Sequence, residues 1–154
     1  MTGLCIGHVH LKVRNLDIST AFYTRAFDLK LTERVANYAF LTGTHMHHEI
    51  ALQALGENAP IPPRASVGLY HIAFEAPDKR SLAQAYQRLL DMGVEVHPVD
   101  HFISWAIYFD DPDGNGLELY CDTRTDPDGA KRWFGRNAPL THDQLIAALT
   151  EPTT

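Results

Sequence analysis

The segment "LYHIAFEA", Leu69 to Ala76, decides how the chain is read. Ile72, Phe74 and Ala76 alternate with His71, Ala73 and Glu75, the period-2 pattern of a strand with one buried face. "CIGHVHLKV", Cys5 to Val13, carries the same pattern roughly 60 residues earlier, with Val9, Leu11 and Val13 alternating against His8, His10 and Lys12. The question is whether the two are one motif used twice.

The residues after each segment show that they are. After Val13 comes Asp17, an expected N-cap, and then "ISTAFYTRAF", with Ile18, Phe22 and Ala26 at helical spacing. Strand-like pieces come next at "LKLTERV", "YAFLTG" and "EIALQAL". A loop rich in Pro and Gly, "GENAPIPPRASVG", ends the first set. After Ala76, "DKRSLAQAYQRLLDMG" predicts a second helix with Leu82, Ala85, Tyr86, Leu89 and Leu90 on its apolar face and Gly93 as its stop. "VEVHPV", "SWAIYF" and "GLELYC" complete a second β-α-β-β-β unit. Residues 1–122 thus read as one α+β domain of two modules, 1–55 and 67–122. A C-terminal extension, 123–154, is mostly loop around Trp133–Phe134, then a short helix in "THDQLIAAL" with a capping box from Thr141 to Gln144.

Aligning the modules on their apolar faces sets Val9, Leu11 and Val13 on Ile72, Phe74 and Ala76. His8 then falls on His71 and His10 on Ala73. "HEIALQ" overlays "GLELYC", which makes Ala51 the counterpart of Glu118. His8 and His71 stand at equivalent points, on the faces opposite the core, and Glu118 lies on the last strand of the second module.

Composition narrows the function. The 154 residues are 45% hydrophobic and 21% charged, as in an ordinary water-exposed domain. No apolar run approaches the roughly 20 residues of a membrane helix, and no N-terminal signal pattern is present. A net charge of −6 without a basic block excludes nucleic acid as the expected partner. Cys5 and Cys121 are too few for a disulfide framework, and the simplest expectation is a cytoplasmic protein. The nine histidines raise the question of metal or proton chemistry.

Two His and one carboxylate leave half of an octahedral ion's positions open, which suits non-haem Fe(II). Zinc on the same ligands would make a hydrolytic site, and three unrelated polar residues on strand faces is the alternative to any metal.

"GHVHLKVRNLDISTAFY", "GLYHIAFEAPD" and "IYFDDPDGNGLELY" resemble the vicinal oxygen chelate superfamily, and within it most closely the type I extradiol ring-cleaving dioxygenases of the catechol 2,3-dioxygenase kind. The resemblance runs to about Asp122. It implies a cupped mixed sheet around a metal, with His8, His71 and Glu118 matching the iron ligands, Fe(II) as the cofactor and Mn(II) as a substitute. It also implies a small aromatic diol and O₂ as substrates, and ring cleavage next to the diol in aromatic catabolism. Glyoxalase-like members take a fourth ligand where this chain has Ala51, although a register slip would bring in Glu49 or Gln53 and restore an isomerase or thiol transferase. Metal-free members that bind small molecules and confer resistance are a further alternative.

The same resemblance assigns proton chemistry. In "THMHHEIAL" three histidines fall within four residues, and the match to the family's acid–base histidine is His48, although strand parity from Ala51 favours Glu49 facing the metal. In "DHFISWAIYF" Tyr108, ten residues before Glu118, and His101 match a family Tyr and His. Here Phe102 follows His101 where the family commonly has Gly. His45 and His47 read as turn residues, His97 as surface, and His10 as either a pocket residue or a structural hydrogen-bonding group. Tyr38, Phe40, Phe102, Trp105, Trp133 and Phe134 are candidates for an apolar wall or for core. Small paired-module chains of this kind are expected as homo-oligomers.

Overall fold

Each of the two sequence modules builds a mixed sheet of its own. The computed structural model describes residues 3–63 and 65–150; the ends of the first module and of the extension, 1–2 and 151–154, and Arg64 of the Pro-rich loop lie outside the described residues. The elements run β1 (Val9–Val13), α1 (Leu16–Phe27), β2 (Lys30–Val35), β3 (Tyr38–Thr42), β4 (Ile50–Ala54), β5 (Ile72–Glu75), α2 (Lys79–Asp91), β6 (His97–Asp100), β7 (Ser104–Asp110), β8 (Gly116–Asp122), β9 (Ala138–Pro139) and α3 (His142–Ala148). The β-α-β-β-β order therefore occurs twice. The sheets are ordered β1-β4-β3-β2 and β5-β8-β7-β6-β9.

In each sheet the first strand of the module lies parallel to the last, and the other pairs are antiparallel. The ladders also share a register. His10 pairs with Ala51 and Phe40 with Ala51 in the first sheet; Ala73 pairs with Glu118 and Tyr108 with Glu118 in the second. The sequence alignment of Ala51 with Glu118 is thus the alignment of the hydrogen-bond ladders.

Two compact units result, residues 1–66 with Asp111–Gly114, and residues 67–110 with 115–154. In the first, α1 covers β3 and β4, burying Phe22, Tyr23 and Ala26 against Leu41, Ile50 and Leu52. The helix starts one residue before the expected Asp17 cap, because Asn15 is extended and its Oδ1 accepts from the backbone N–H of Asp17 and Ile18. Asp17 sits instead in the first turn, where a carboxylate complements the helix dipole, and pairs with Arg34. The buried stripe is accordingly Ser19, Phe22, Tyr23 and Ala26, while Ile18, expected inside, is 53% exposed.

In the second unit Asp78 caps α2 and Gly93, at φ +73°, follows its end. Leu82, Ala85, Tyr86 and Leu89 are buried as the spacing predicts, whereas Leu90 is partly exposed because one face of an amphipathic helix spans only about 100°. The extension folds with this unit. β9 adds to β6, and α3, with the Thr141–Gln144 capping box formed, packs on α2 through Leu145 and Ala148.

The turn Asp111–Gly114 belongs to the first unit through its carboxylates. Asp113 Oδ2 accepts from the backbone N–H of Arg14 at 3.0 Å, and Asp111 Oδ2 accepts from the Tyr23 hydroxyl at 3.0 Å. Burial first, then the Asp111 charge, hold the Tyr23 phenol far above its ordinary range, so it remains a donor. Tyr23→Phe would leave this buried carboxylate without one of its donors. We expect a loss of about 1.5–3 kcal/mol in urea unfolding. A change below about 0.5 kcal/mol would show that the contact is not a structural tie.

Candidate metal centre

β8 runs through the second sheet beside both β5 and β7, so side chains from three strands meet on one face. Leu117, Leu119 and Cys121 are buried; the alternate positions Glu118 and Tyr120 occupy the other face, with Tyr108 beside Glu118 in the ladder. Burial pushes the Cys121 thiol up to about 11, consistent with an inert core position. His71 stands one residue before β5, next to the Ala73–Glu118 pair. Gly116 makes that approach possible, since a Cβ there would lie 2.3 Å from the Tyr70 carbonyl oxygen.

Glu118, only 9% exposed, divides its two oxygens. His71 Nε2 lies 2.9 Å from Oε2, and the Tyr108 hydroxyl donates to Oε1 at 2.9 Å. His101 Nε2 is 2.8 Å from the Tyr108 oxygen. Burial, followed by the hydrogen bond and charge of Glu118, raises the Tyr108 phenol well above its ordinary value, so it stays protonated. The His71 ring packs between Tyr70 and Tyr108, with centroids at 5.3 and 5.5 Å, and its buried Nδ1 has no hydrogen-bond partner among the described residues.

This donor pair fits a divalent ion. Two ligands about 2.1 Å from a shared ion and at right angles stand roughly 3.0 Å apart, against roughly 3.4 Å in a tetrahedron. The His71–Glu118 separation of 2.9 Å matches the first. It is equally the length of a charge-assisted hydrogen bond between the two. Among the described residues no three His, Cys, Asp or Glu side chains gather into one metal-holding group.

His8, the third expected ligand, lies in the first unit one residue before β1, as His71 does before β5. Its ring contacts that of His48 at 4.7 Å between centroids, and Phe40 lies 4.9 Å from His48. His47 Nδ1 is 2.8 Å from His48 Nδ1, and His47 Nε2 is 3.3 Å from Glu33. Partial burial, then the neighbouring His8 and His47, lower the pKa of His48, favouring the neutral ring. His10 instead lies 5.8 Å from the Tyr38 ring.

Strand parity favours Glu49, but its carboxylate is occupied elsewhere. It accepts from the Thr44 hydroxyl, from Thr42 Oγ1 at 2.7 Å and from the Gly43 N–H at 3.0 Å, closing the histidine-rich turn. Gln53 donates to Tyr38 at 2.9 Å. The ladder shows no slip that would bring either to the Glu118-equivalent place, which Ala51 holds.

The aromatic candidates separate by face. Phe40 is beside His48, Tyr38 beside His10 and Trp133 beside His101, at 5.9 Å. Trp105 has the parity of the buried face and lies under Lys79 of α2, 4.4 Å from its ring, so it does not join Tyr108. Phe134 is 73% exposed. His101, despite Phe102 after it, reaches Tyr108, because Phe102 takes the left-handed conformation, φ +65°, that glycine adopts freely. The sequence reading missed Asn137, whose Oδ1 lies 2.6 Å from His101 Nδ1; an asparagine in a loop 36 residues away carries no signal of that contact.

The profile of the Glyoxalase/Bleomycin resistance protein/Dioxygenase superfamily matches residues 5–119, and the chain belongs to that superfamily. It is 34% identical over 117 residues to the catechol-2,3-dioxygenase of Bacillus subtilis (strain 168), covering 76% of this chain and 41% of that protein. It is 33% identical over 125 residues to biphenyl-2,3-diol 1,2-dioxygenase 3 of Rhodococcus globerulus, covering 80% of this chain and 66% of that one. The chain therefore spans less than half of the first relative and about two thirds of the second. Among solved structures, a glyoxylase/bleomycin resistance protein/dioxygenase domain from Frankia sp. EAN1pec matches with a TM-score of 0.65 and 26% identity, over 79% of this chain and 98% of that one. No helix among the described residues is long and apolar enough to cross a membrane.

Glu49 yields a pH test of the turn that presents His48. Burial opposes its ionisation, but the bonds from Thr44, Thr42 and Gly43 outweigh this and hold the carboxyl below its ordinary 4.5. A depressed folded-state value stabilises fully above the unfolded value and is lost as pH falls through the folded one. The stability difference between wild type and Glu49→Gln should be greatest near neutrality and shrink below about pH 4.5. A difference that is constant down to about pH 3 would refute the carboxylate's role.

Proposed function

We propose that this protein is an Fe(II)-dependent extradiol dioxygenase, with Mn(II) able to replace iron, that opens the ring of a catechol-type diol next to its hydroxyl-bearing carbons. Both atoms of O₂ end in the product, so no external reductant is needed. His8, His71 and Glu118 are the proposed metal ligands. A divalent ion held by these residues would leave positions free for both oxygens of the diol and for O₂.

The observation that carries this reading is the shared Glu118 carboxylate, with His71 on one oxygen and the neutral Tyr108 phenol on the other. Tyr108 orients the carboxylate and offers a hydroxyl where substrate oxygen charge develops. His101 holds that hydroxyl from behind. His48, inclined to the neutral form, is suited to take a proton and return it. Two features of the chain favour a dioxygenase over a glyoxalase-type isomerase. Alanine at position 51 cannot bind metal, and the nearby carboxylate of Glu49 is committed to its turn. The names of the two relatives point the same way.

The test is metal analysis of anaerobically purified protein, followed by O₂ uptake with catechol. One equivalent of iron, and O₂ consumption matching formation of a yellow ring-opened product, is expected. Turnover of a substrate without O₂, or binding without metal, would replace this reading with the isomerase or the resistance protein. His71→Ala and Glu118→Ala should each lose iron steeply with circular dichroism little changed; full retention in both would exclude them as ligands.

The histidine cluster makes a sharper prediction. His48→Gln should keep iron and bind catechol, but slow single turnover by about 10²–10⁴-fold, the usual contribution of a positioned acid–base group. His45→Gln and His47→Gln should stay near wild type. Loss of iron in His48→Gln would make the cluster a ligand site instead.

A further inference from the structure

The acid–base machinery proposed above ends at His101, yet His101 is itself held from its far side by two residues of the C-terminal extension. Asn137 Oδ1 lies 2.6 Å from His101 Nδ1 and accepts from Trp133 Nε1 at 3.0 Å. The indole N–H is a donor only, so the Asn137 atom facing it is the carbonyl oxygen, whichever way an amide is otherwise assigned. An imidazole nitrogen 2.6 Å from that same oxygen must carry a hydrogen. The indole thus fixes the amide, and the amide fixes the imidazole.

We propose that Asn137 is a positioning residue for His101. It fixes the proton on Nδ1, and Trp133 fixes Asn137. In the neutral ring the lone pair is then on Nε2, the atom 2.8 Å from the Tyr108 oxygen. Tyr108 has one hydroxyl proton and two acceptors in reach, His101 Nε2 and Glu118 Oε1 at 2.9 Å. His101 Nε2 can accept a hydrogen bond from that hydroxyl only because Asn137 keeps Nε2 unprotonated. With the opposite tautomer Nε2 would donate to the Tyr108 oxygen, and the phenol's proton would be directed to Glu118 alone.

The extension is docked so as to bring these residues there. The Phe102 carbonyl accepts from the Ala130 N–H at 3.0 Å, and the Arg136 guanidinium lies 4.9 Å from the Phe102 ring centroid. Asp100 and Val99, just before His101, pair with Ala138 and Pro139, just after Asn137. Phe102 is itself at positive φ, a backbone conformation that bulky side chains disfavour. Here the ring that makes the conformation unfavourable is also the seat of Arg136.

The catalytic consequence rests on the dioxygenase reading; the tautomer does not. The test uses the full chain labelled with ¹⁵N-histidine, supplied with diamagnetic Zn(II) so that the ring signals are not broadened, and long-range ¹H–¹⁵N correlation. Wild-type His101, when neutral, should be the Nδ1–H tautomer. Asn137→Ala should shift it toward Nε2–H, Asn137→Asp, which keeps the acceptor, should restore Nδ1–H, and circular dichroism should be unchanged throughout. With iron present, Asn137→Ala should lower kcat by about tenfold with KM nearly constant, on the order of the loss when the outer partner of a metal-ligating histidine is removed, and Asn137→Asp should recover most of it. An Nε2–H tautomer in wild type, or no change in Asn137→Ala, would overturn the proposal. So would an altered tautomer with unaltered kcat. The predicted tautomer shifts without O₂-dependent turnover in any variant would sustain the positioning by Asn137 and reject the dioxygenase reading alone.

Discussion

Glu118 is a carboxylate almost wholly removed from water, and a buried carboxylate is tolerated only where its oxygens are paired. His71 satisfies one oxygen and Tyr108 the other. His71 stands just before β5 and Tyr108 lies on β7, the two neighbours of β8, so the pairing depends on the order β5-β8-β7 and on its register. Gly116 lets the backbone before β5 come close enough. The remaining features of the second unit serve to hold this arrangement: α2 over the opposite face of the sheet, and the extension behind His101.

The duplication shows what has been added to the common plan. Both units have the same strand order in their first four strands and the same ladder register, yet Phe40 stands where the second unit has Tyr108, and Ala51 where it has Glu118. Module one therefore lacks the carboxylate and the phenol that the second one joins. It has instead a histidine-rich turn, closed by Glu49, that packs His48 on His8 and Phe40. One fold thus carries two local chemistries, of donor pairing and of a ring cluster. The C-terminal extension adds a third element to the second unit alone.

Much of this is legible in the sequence, and the reasons are specific. The period-2 alternation of Ile72, Phe74 and Ala76 marks the strand faces, and the repeat resolves the His8–His71 equivalence that alternation alone leaves open. The Thr141–Gln144 capping box is a local pattern and is readable as such. Asp17 is misread as the cap because Asn15 competes for the same role two residues earlier, and only the backbone conformation decides between them. Trp105, a candidate for either an apolar wall or core, is set by parity on β7 on the face opposite Tyr108. His48 and Glu49 lie at a turn-to-strand junction, where alternation fails, and the hydrogen bonds of Glu49 settle which carboxylate is committed to the turn. Asn137 is invisible, since a contact between distant loop residues leaves no periodic trace.

The central claim is that Glu118 and its partners serve a reaction that puts both atoms of O₂ into an aromatic diol. Mass spectrometry of the ring-opened product formed from catechol under ¹⁸O₂ tests this most directly. Two labelled oxygens in the freshly formed product, before the aldehyde exchanges with water, are what the account predicts. A product with one labelled oxygen, or with none, would contradict it.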